Sequence, residues 1–500
     1  MASTTASDIK RERRELHHEA DVVVVGAGIF GCAIAYALAN QGRSVILLER
    51  WMHEPDRIVG ELLQPGGVDA LKKLGLGRCL EGIDAIPCYG YHVIYRGDDC
   101  AFPYPVMNNK GQVVFPTDNE TDEKKSLIPR PEGRGFHHGR FIMKLREACK
   151  AHSNISIFET EVVATIKGQN SLAVLGVETR TTINKEANEK QPDCFFGDLT
   201  IIADGYASKF RNDLLNKTPV IRSKFYALEL IDCPFPPQGY GHVCIGDASV
   251  VLLYQIGTHE TRALIDVPLD TPAASPANGG VRGYIEKVVI PALPKHVQPS
   301  VVRALADGKI PKSMPNSWLP SSKQVHNDGV LVLGDAHNMR HPLTGGGMTV
   351  AFNDALTLSE LLNEVPNLAD HKTVHKAMAE FHWKRKTLTS IINVLAQALY
   401  SLFAANDWQL RALQRGCFRY FQLGMTDEPV AMLGGMLRRP LTLASHFFTV
   451  AFLAIWMNTV DVCGGSLLGI WKLPLAIIQA IMILWKACVV FLPVFGTELR

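Results

Sequence analysis

Four valines, Val22–Val25, run directly into Gly26-Ala27-Gly28-Ile29-Phe30-Gly31, and a small-residue stretch, Cys32 to Asn40, follows. So short and so apolar a run fits a strand buried on both faces. Gly42 then turns the chain into a second apolar stretch, Ser44 to Leu48, with Glu49 at its end. Few folds accept that order of residues. Gly26 permits a tight turn, Gly28 lets a phosphate reach the backbone, and Gly31 lets helix pack on strand. The helix N-terminus then offers N–H donors and the positive end of its dipole. Glu49 accepts a ribose 2′-OH and would repel a 2′-phosphate, so FAD or NAD fits and NADP does not.

Two later segments choose between them. Leu199 to Ala203 reads as a strand and leads into Asp204-Gly205-Tyr206-Ala207-Ser208-Lys209-Phe210-Arg211. Val330 to Leu333 reads as another, followed by Gly334-Asp335-Ala336-His337, then Pro342, Gly345-Gly346-Gly347-Met348 and an apolar helix to Asp354. In order, these segments resemble the three fingerprints of flavoprotein monooxygenases related to the aromatic hydroxylases. The resemblance implies FAD, with Asp335 on its ribitol and the Gly345–Met348 turn aiming N–H groups at the flavin ring, where reduction builds negative charge. Leu74-Gly75-Leu76-Gly77 lacks both strand and acid, leaving one complete dinucleotide fingerprint. Electrons are therefore expected from transiently docked NADPH or from a partner reductase.

Longer strings narrow the resemblance. Arg57-Ile58-Val59-Gly60-Glu61-Leu62-Leu63-Gln64-Pro65-Gly66-Gly67, Phe136-His137-His138-Gly139-Arg140 and Asn338-Met339-Arg340-His341-Pro342-Leu343-Thr344-Gly345-Gly346-Gly347-Met348-Thr349 resemble the squalene epoxidase (squalene monooxygenase) family. The likeness continues through Leu395 to Tyr400 and the apolar C-terminus, and so covers nearly everything from Asp21. It implies conversion of squalene to 2,3-oxidosqualene by O2 in sterol biosynthesis, through a flavin C4a-hydroperoxide, with NADPH electrons passed by cytochrome P450 reductase. It also implies the cytosolic face of the endoplasmic reticulum membrane, or lipid droplets. A Gly-rich strand close to the first residue suggests the fungal type. Carried over by position, Ile29, Phe30, Glu49, Arg50, Arg57, Arg140, Val162, Asp335 and Met348 are expected at FAD. Gly26, Gly28, Gly31, Asp204, Pro342, Gly345 and Gly347 join them as cradle residues. Tyr91 is expected to orient Gln64 beside the flavin, the two forming the catalytic pair.

Neither an acid–base pair nor a metal motif stands out. Attack of an alkene on an electrophilic oxygen removes no substrate proton, so the chemistry asks for a dry pocket rather than a base. His137, His138, His337 and His341 lack the convergence a metal requires, and the eleven cysteines include no C-x-x-C pair. Formal net charge is only +2, which argues against a nucleic-acid partner. The basic excess is local: after Phe381 there are eleven Lys and Arg against five Asp and Glu. Those cations flank Leu441 to Val460, 20 residues without a charge, and the apolar Leu473 to Phe495. Such an arrangement suggests a hairpin in or through a lipid bilayer with both ends cytosolic.

The expected architecture is α/β: a Rossmann-like FAD-binding domain, an inserted mixed-sheet substrate domain and a C-terminal helical membrane module. Residues 1–20 read as a solvated tail, 21–221 and 320–395 as the two parts of the FAD domain, 222–319 as the insert, and 396–500 as a helical membrane-associated region, within which deletion of 438–500 is expected to release the protein from the membrane and leave FAD bound. Phe225, Tyr254 and Leu264 are candidate pocket walls, although apolar strand residues more often pack as core. Two rival readings are a flavoprotein reductase of isoprenoid double bonds and a non-enzymatic prenyl-lipid carrier on the same fold.

Overall fold

A computed structural model describes residues 6–108, 111–114, 130–184, 189–246, 249–306, 308, 310–324, 327–464 and 467–499. Arg500, one of the cations that follow the second apolar stretch, lies outside the described residues.

Glu19–Val25 pairs in parallel with Val45–Glu49 on one side and Glu189–Ile202 on the other. Ile155–Glu159 and Val330–Val332 extend the parallel part, and Val174–Asn184 and Glu161–Lys167 complete a seven-stranded sheet. Parallel strands need a crossover, and helix Ile29–Asn40 supplies the first one. Alternate valines serve opposite faces: Val22 and Val24 meet Ala33, Leu38, Phe352 and Leu358, while Val23 and Val25 meet Ile46, Phe195 and Val330. A strand sandwiched in this way has no polar face, which explains the uninterrupted run in the sequence.

The second sheet also has seven strands, in the order Lys312–Trp318, Val220–Ile231, Glu260–Pro268, Val251–Gln255, Tyr240–Ile245, Gly90–Tyr95, Asp98–Pro103. Its last two strands come from well before residue 222, because Tyr240–Ile245 takes Gly90–Tyr95 as a parallel neighbour across a long separation in sequence. The substrate sheet is thus not confined to 222–319, and Tyr91 belongs to it. One face packs on helices Tyr284 to Leu305, and the other faces the cavity and the C-terminal helices.

The N-terminal segment also differs from expectation. Ala6–Leu16 is a helix, and Arg14 is almost fully buried against the first sheet, its Nε donating to Ser156 Oγ (3.1 Å) and its NH2 to Ser153 O (2.6 Å). A guanidinium goes under cover once fixed acceptors replace its water, and that replacement is invisible in a charged string.

Helix His371–Phe403 runs unbroken through the expected boundary at residue 395, and Trp408–Gln422 follows at a bend of 114°. Two helices, Pro440–Cys463 and Leu473–Glu498, are long and apolar enough to cross a membrane, with mean hydropathy 1.5 and 2.3. Their inner seam is made of small residues: Ala451, Ala454 and Ala487 are buried, and a Cβ on Gly416 would lie 2.6 Å from that of Ala454. Small residues let backbones approach closely. The outer surface carries Trp456 and Trp485, each about two-thirds exposed, with Ile481 and Leu441, a surface suited to lipid.

Candidate active site

The Gly-rich turns of the first sheet and the inner face of the second enclose an apolar cavity of about 1450 Å³ including its open mouth. Gly28, Ile29, Phe30, Arg57, Tyr91, Asp335, Pro342, Gly345, Gly347 and Met348 all line it. The glycines divide by task. Gly26 has φ +103° and a Cβ there would stand 2.5 Å from Ala203 O, while one on Gly31 would stand 1.8 Å from Gly26 O, so both are fixed by the protein itself. At Gly28 and Gly347 a Cβ would meet no protein atom within 4 Å. Those two are open toward the cavity, as a bound phosphate or ring requires.

Glu49 sits at the end of its strand and accepts from Ala27 N (2.8 Å) and Trp51 N (3.1 Å). Val162, in the strand Glu161–Lys167, is buried and does not line the cavity; two residues before it, Thr160 N donates to Glu49 O (2.8 Å). Arg50 covers Trp51 at 3.6 Å and pairs with Glu161 at 3.9 Å. Arg57 NH2 stands 3.6 Å from Asp335 Oδ2. Arg211 explains why the second and third fingerprints travel together: its Nε donates to Ala336 O (2.8 Å) and its NH2 to Tyr206 O (2.8 Å), Gly205 O and Asp335 O. One buried guanidinium fastens both turns.

Glu49, Arg50, Arg140, Val162 and Asp204 do not line the cavity itself, and Arg140 lies near Asp84 and His137. The arginine at the Gly-rich turn is Arg146, further along the same helix, with Nε on Ala27 O (3.0 Å), NH1 on Trp51 O (2.9 Å) and NH2 3.3 Å from Glu49 Oε2. Nothing in the string of residues distinguishes the two; helix phase decides which one points inward. Gln64 has a second tyrosine beside it that the sequence did not single out: the Tyr104 hydroxyl donates to Gln64 Oε1 at 2.5 Å, and Tyr104 stands edge-on to Tyr91 with ring centroids 5.6 Å apart. Of the candidate walls, Tyr254 and Leu264 line the cavity, whereas Phe225 is buried edge-on to His341. Sequence reasoning also missed the bidentate pair of Glu61 and Arg262, with Glu61 in the cavity wall and both side chains buried.

No cluster of three or more His, Cys, Asp or Glu among the described residues forms a metal site. The histidines are instead held neutral: burial pushes His138 and His337 down to about 3 and His242 to about 4. Below the unfolded value near 6.5 the unfolded chain takes up protons that the buried rings refuse. Stability is therefore complete above about pH 6.5 and falls as pH drops toward 3, by about 1.4 kcal/mol per unit for each ring. Thermal midpoints measured from pH 7 to 5 should decline accordingly. His138→Gln, which can still donate to Gly60 O as His138 does at 2.7 Å, should flatten that slope.

Comparison with known proteins decides what this site belongs to. A family model described as squalene epoxidase matches residues 196–471, and one described as FAD dependent oxidoreductase matches residues 21–53. Squalene epoxidase ERG1 of Gibberella zeae is 62% identical over 501 residues, spanning 100% of this chain and 99% of that protein.

The chain belongs to the squalene epoxidase family.

Squalene epoxidase erg1 of Aspergillus fumigatus is 52% identical over 488 residues (97% and 95% of the two chains), and the squalene monooxygenase of Mus musculus 38% over 485 residues (96% and 78%). Among solved structures, Klebsiella pneumoniae HpxO complexed with FAD and uric acid superposes with TM-score 0.61 at 19% identity, covering 85% of this chain and 98% of that one. PqsL of P. aeruginosa gives 0.59 at 20%, covering 84% and 99%; at such identities the likeness concerns the fold alone. As a member of this family the protein is an FAD-dependent monooxygenase, which sets aside the carrier reading.

The residues present fit FAD. Arg57 Nε and Asp204 Oδ1 are buried without a hydrogen-bond partner in the protein, beside turns whose glycines open onto the cavity. Burial pushes the Asp204 carboxyl up from its ordinary value. Buried polar atoms left without partners are costly, and a ribose or pyrophosphate on this surface supplies partners for them.

Proposed function

We propose that this chain converts squalene to 2,3-oxidosqualene in sterol biosynthesis, consuming O2 and NADPH-derived electrons. The observation that carries the proposal is the position of a mostly apolar cavity between a glycine cradle for FAD and a helical hairpin suited to lipid, in a chain of this family. FAD, when bound, supplies reductive activation of O2 and delivery of one oxygen atom to the alkene, the second leaving as water. The protein's own part is placement and dryness. Glu49, Asp335 and Arg57 hold the ribose and ribitol ends, and Arg146 braces the turn around Ala27. The N-terminus of helix Gly347–Asn363 turns its free N–H groups to the ring, where negative charge is favoured. Leu252, Leu264, Val243 and Met314 line the cavity and keep water from the reacting oxygen. His138 stays neutral, and no side chain needs to take a proton from a hydrocarbon.

Electrons come from NADPH through cytochrome P450 reductase, a reading supported by the single dinucleotide fingerprint. The hairpin seats the protein on the endoplasmic reticulum membrane, facing the cytosol, where a C30 hydrocarbon partitions. The test is a product assay on detergent-solubilised protein with FAD, NADPH, the reductase, O2 and squalene. A product heavier by one oxygen, dependent on both FAD and reductase, is the expected result. Bound flavin that is reduced while squalene stays untouched would redirect the search to another isoprenoid.

A further inference from the structure

His341 stands immediately before Pro342–Gly345, the segment that lines the cavity at the glycine turn, and is itself 3% exposed and outside the cavity lining. It caps the short helical turn Pro342–Thr344, because the backbone N–H of Leu343 donates to its Nδ1 at 3.2 Å. The other ring nitrogen, Nε2, stands 3.4 Å from Ser223 Oγ and 3.6 Å from Asp266 Oδ1. Ser223 and Asn316 are paired across neighbouring strands, and Asn316 Nδ2 donates to both Ser223 Oγ (3.0 Å) and Asp266 Oδ1 (2.8 Å). Strand side chains two apart share a face, so Asp266 and Asn316 continue the face on which Leu264 and Met314 line the cavity. Tyr400, on helix His371–Phe403, stacks on the imidazole with ring centroids 3.9 Å apart at 16°. One ring therefore touches the turn, the second sheet and a helix.

A neutral imidazole donates through one nitrogen and accepts through the other. Since Nδ1 takes the Leu343 N–H, the ring proton belongs on Nε2, the side of Asp266 and Ser223. A proton on Nδ1 would face an N–H and undo the cap. Burial pushes the His341 imidazole below its ordinary value, with Asp266 opposing the shift, and the ring stays neutral. We propose that His341, kept as the Nε2–H tautomer by Asp266, is the positioning residue that holds the Pro342–Gly345 turn in place against the flavin. The proposal rests on the reading of that turn as the seat of the flavin ring. His341 acts through the Leu343 N–H alone. Its cap tightens Pro342–Thr344, and Gly345, at φ +62°, then redirects the chain into helix Gly347–Asn363. The free N–H groups of that helix meet the ring where negative charge is favoured.

Asparagine and phenylalanine separate the two contacts of the ring. His341→Asn keeps a side-chain acceptor at a cap position that favours it, and gives up the stack and the contact with Asp266. His341→Phe keeps the stack and gives up the acceptor. Two quantities are read on full-length, FAD-loaded protein in detergent: the rate of flavin release, and the affinity of the bound flavin for sulfite, whose addition places negative charge on the ring. His341→Phe should quicken release and weaken sulfite binding about fivefold each, the worth of one cap, while His341→Asn should stay within about twofold of wild type. Asp266→Asn removes the charge that keeps the proton on Nε2. It should move both quantities in the direction of His341→Phe when His341 is present, and neither on the His341→Asn background. That dependence on background also decides the matter if His341→Phe folds poorly. A ring that served only as packing would give the opposite order, with phenylalanine tolerated and asparagine harmful. That order, or an Asp266→Asn effect that persists without His341, would overturn the proposal. Gly347→Ala reports on the seat itself, since its Cβ would meet no protein atom within 4 Å and only a ring lying there feels it. Unchanged flavin release in Gly347→Ala would remove the seat reading and the proposal together. Altered release in Gly347→Ala beside a wild-type rate in His341→Phe would remove the role of His341 alone.

Discussion

Glu498→Ala should strip FAD from the protein while leaving it in the membrane fraction. Glu498 lies near the end of the second apolar helix and is nonetheless buried, with Oε2 3.2 Å from Lys386 Nζ and Oε1 accepting from Asn393 Nδ2 at 2.9 Å. Asn393 also reaches Asn338 Oδ1 (3.4 Å), which takes hydrogen bonds from Arg340 (2.7 Å) and Arg385 (3.3 Å) as well. Arg385 in turn grips Asp354 through two bonds of 3.0 and 2.6 Å. Asp354 belongs to the helix that starts at the flavin turn, and Arg340 lies in the cavity wall. The hairpin is therefore wired to the cofactor site by one buried polar network.

Removing the carboxylate strands the Lys386 ammonium, and breaking one side of a buried pair costs about 3–5 kcal/mol. Flavin content after extraction, read as the 450 nm to 280 nm ratio, should fall several-fold. Deleting 438–500 should do the same, against the sequence-based expectation that the helical module is separable. Lys386→Met with Glu498→Leu should restore much of the loss, since a packed apolar pair replaces a buried ionic one at little expense. Full flavin occupancy in Glu498→Ala would remove the network from the account.

The second large effect is expected at Arg262. Its Nε and NH2 lie 2.7 and 2.9 Å from the two Glu61 oxygens, and this fork joins the Gly60–Leu62 cavity wall to the middle of the second sheet. Arg262→Met leaves the Glu61 carboxylate buried and alone, again about 3–5 kcal/mol, and epoxidation should fall with it. Desolvation already raises the Glu61 carboxyl, with Arg262 opposing that rise, so the variant raises it further. A carboxyl whose folded value is raised contributes stability below its unfolded value, and that contribution is lost as pH rises through the folded one. The gap in thermal midpoint between wild type and variant should consequently narrow as pH falls from 8 to 6. A gap independent of pH would mean that Glu61 does not carry the charge in question.

Residues fixed by local geometry are legible in the chain of residues alone. The turn at Gly26, the close packing at Gly31, the acid at Glu49 and the order of the two later turns follow from steric and hydrogen-bonding demands confined to a few consecutive residues. So does the apolar hairpin, because spanning length and missing charge are properties of the string. Arg146 on Ala27, Tyr104 on Gln64, and Glu498 on Lys386 are not legible there. Each depends on helix phase or on strands and helices brought together from far apart in the chain, and an arginine, tyrosine or glutamate that will be buried reads the same as one that will be solvated. Sequence by itself determined which cofactor the chain can hold and that its end is built for lipid. Only the tertiary structure decided which polar side chains are taken out of water to hold the cavity together, because the partners that make such burial tolerable lie tens to hundreds of residues away.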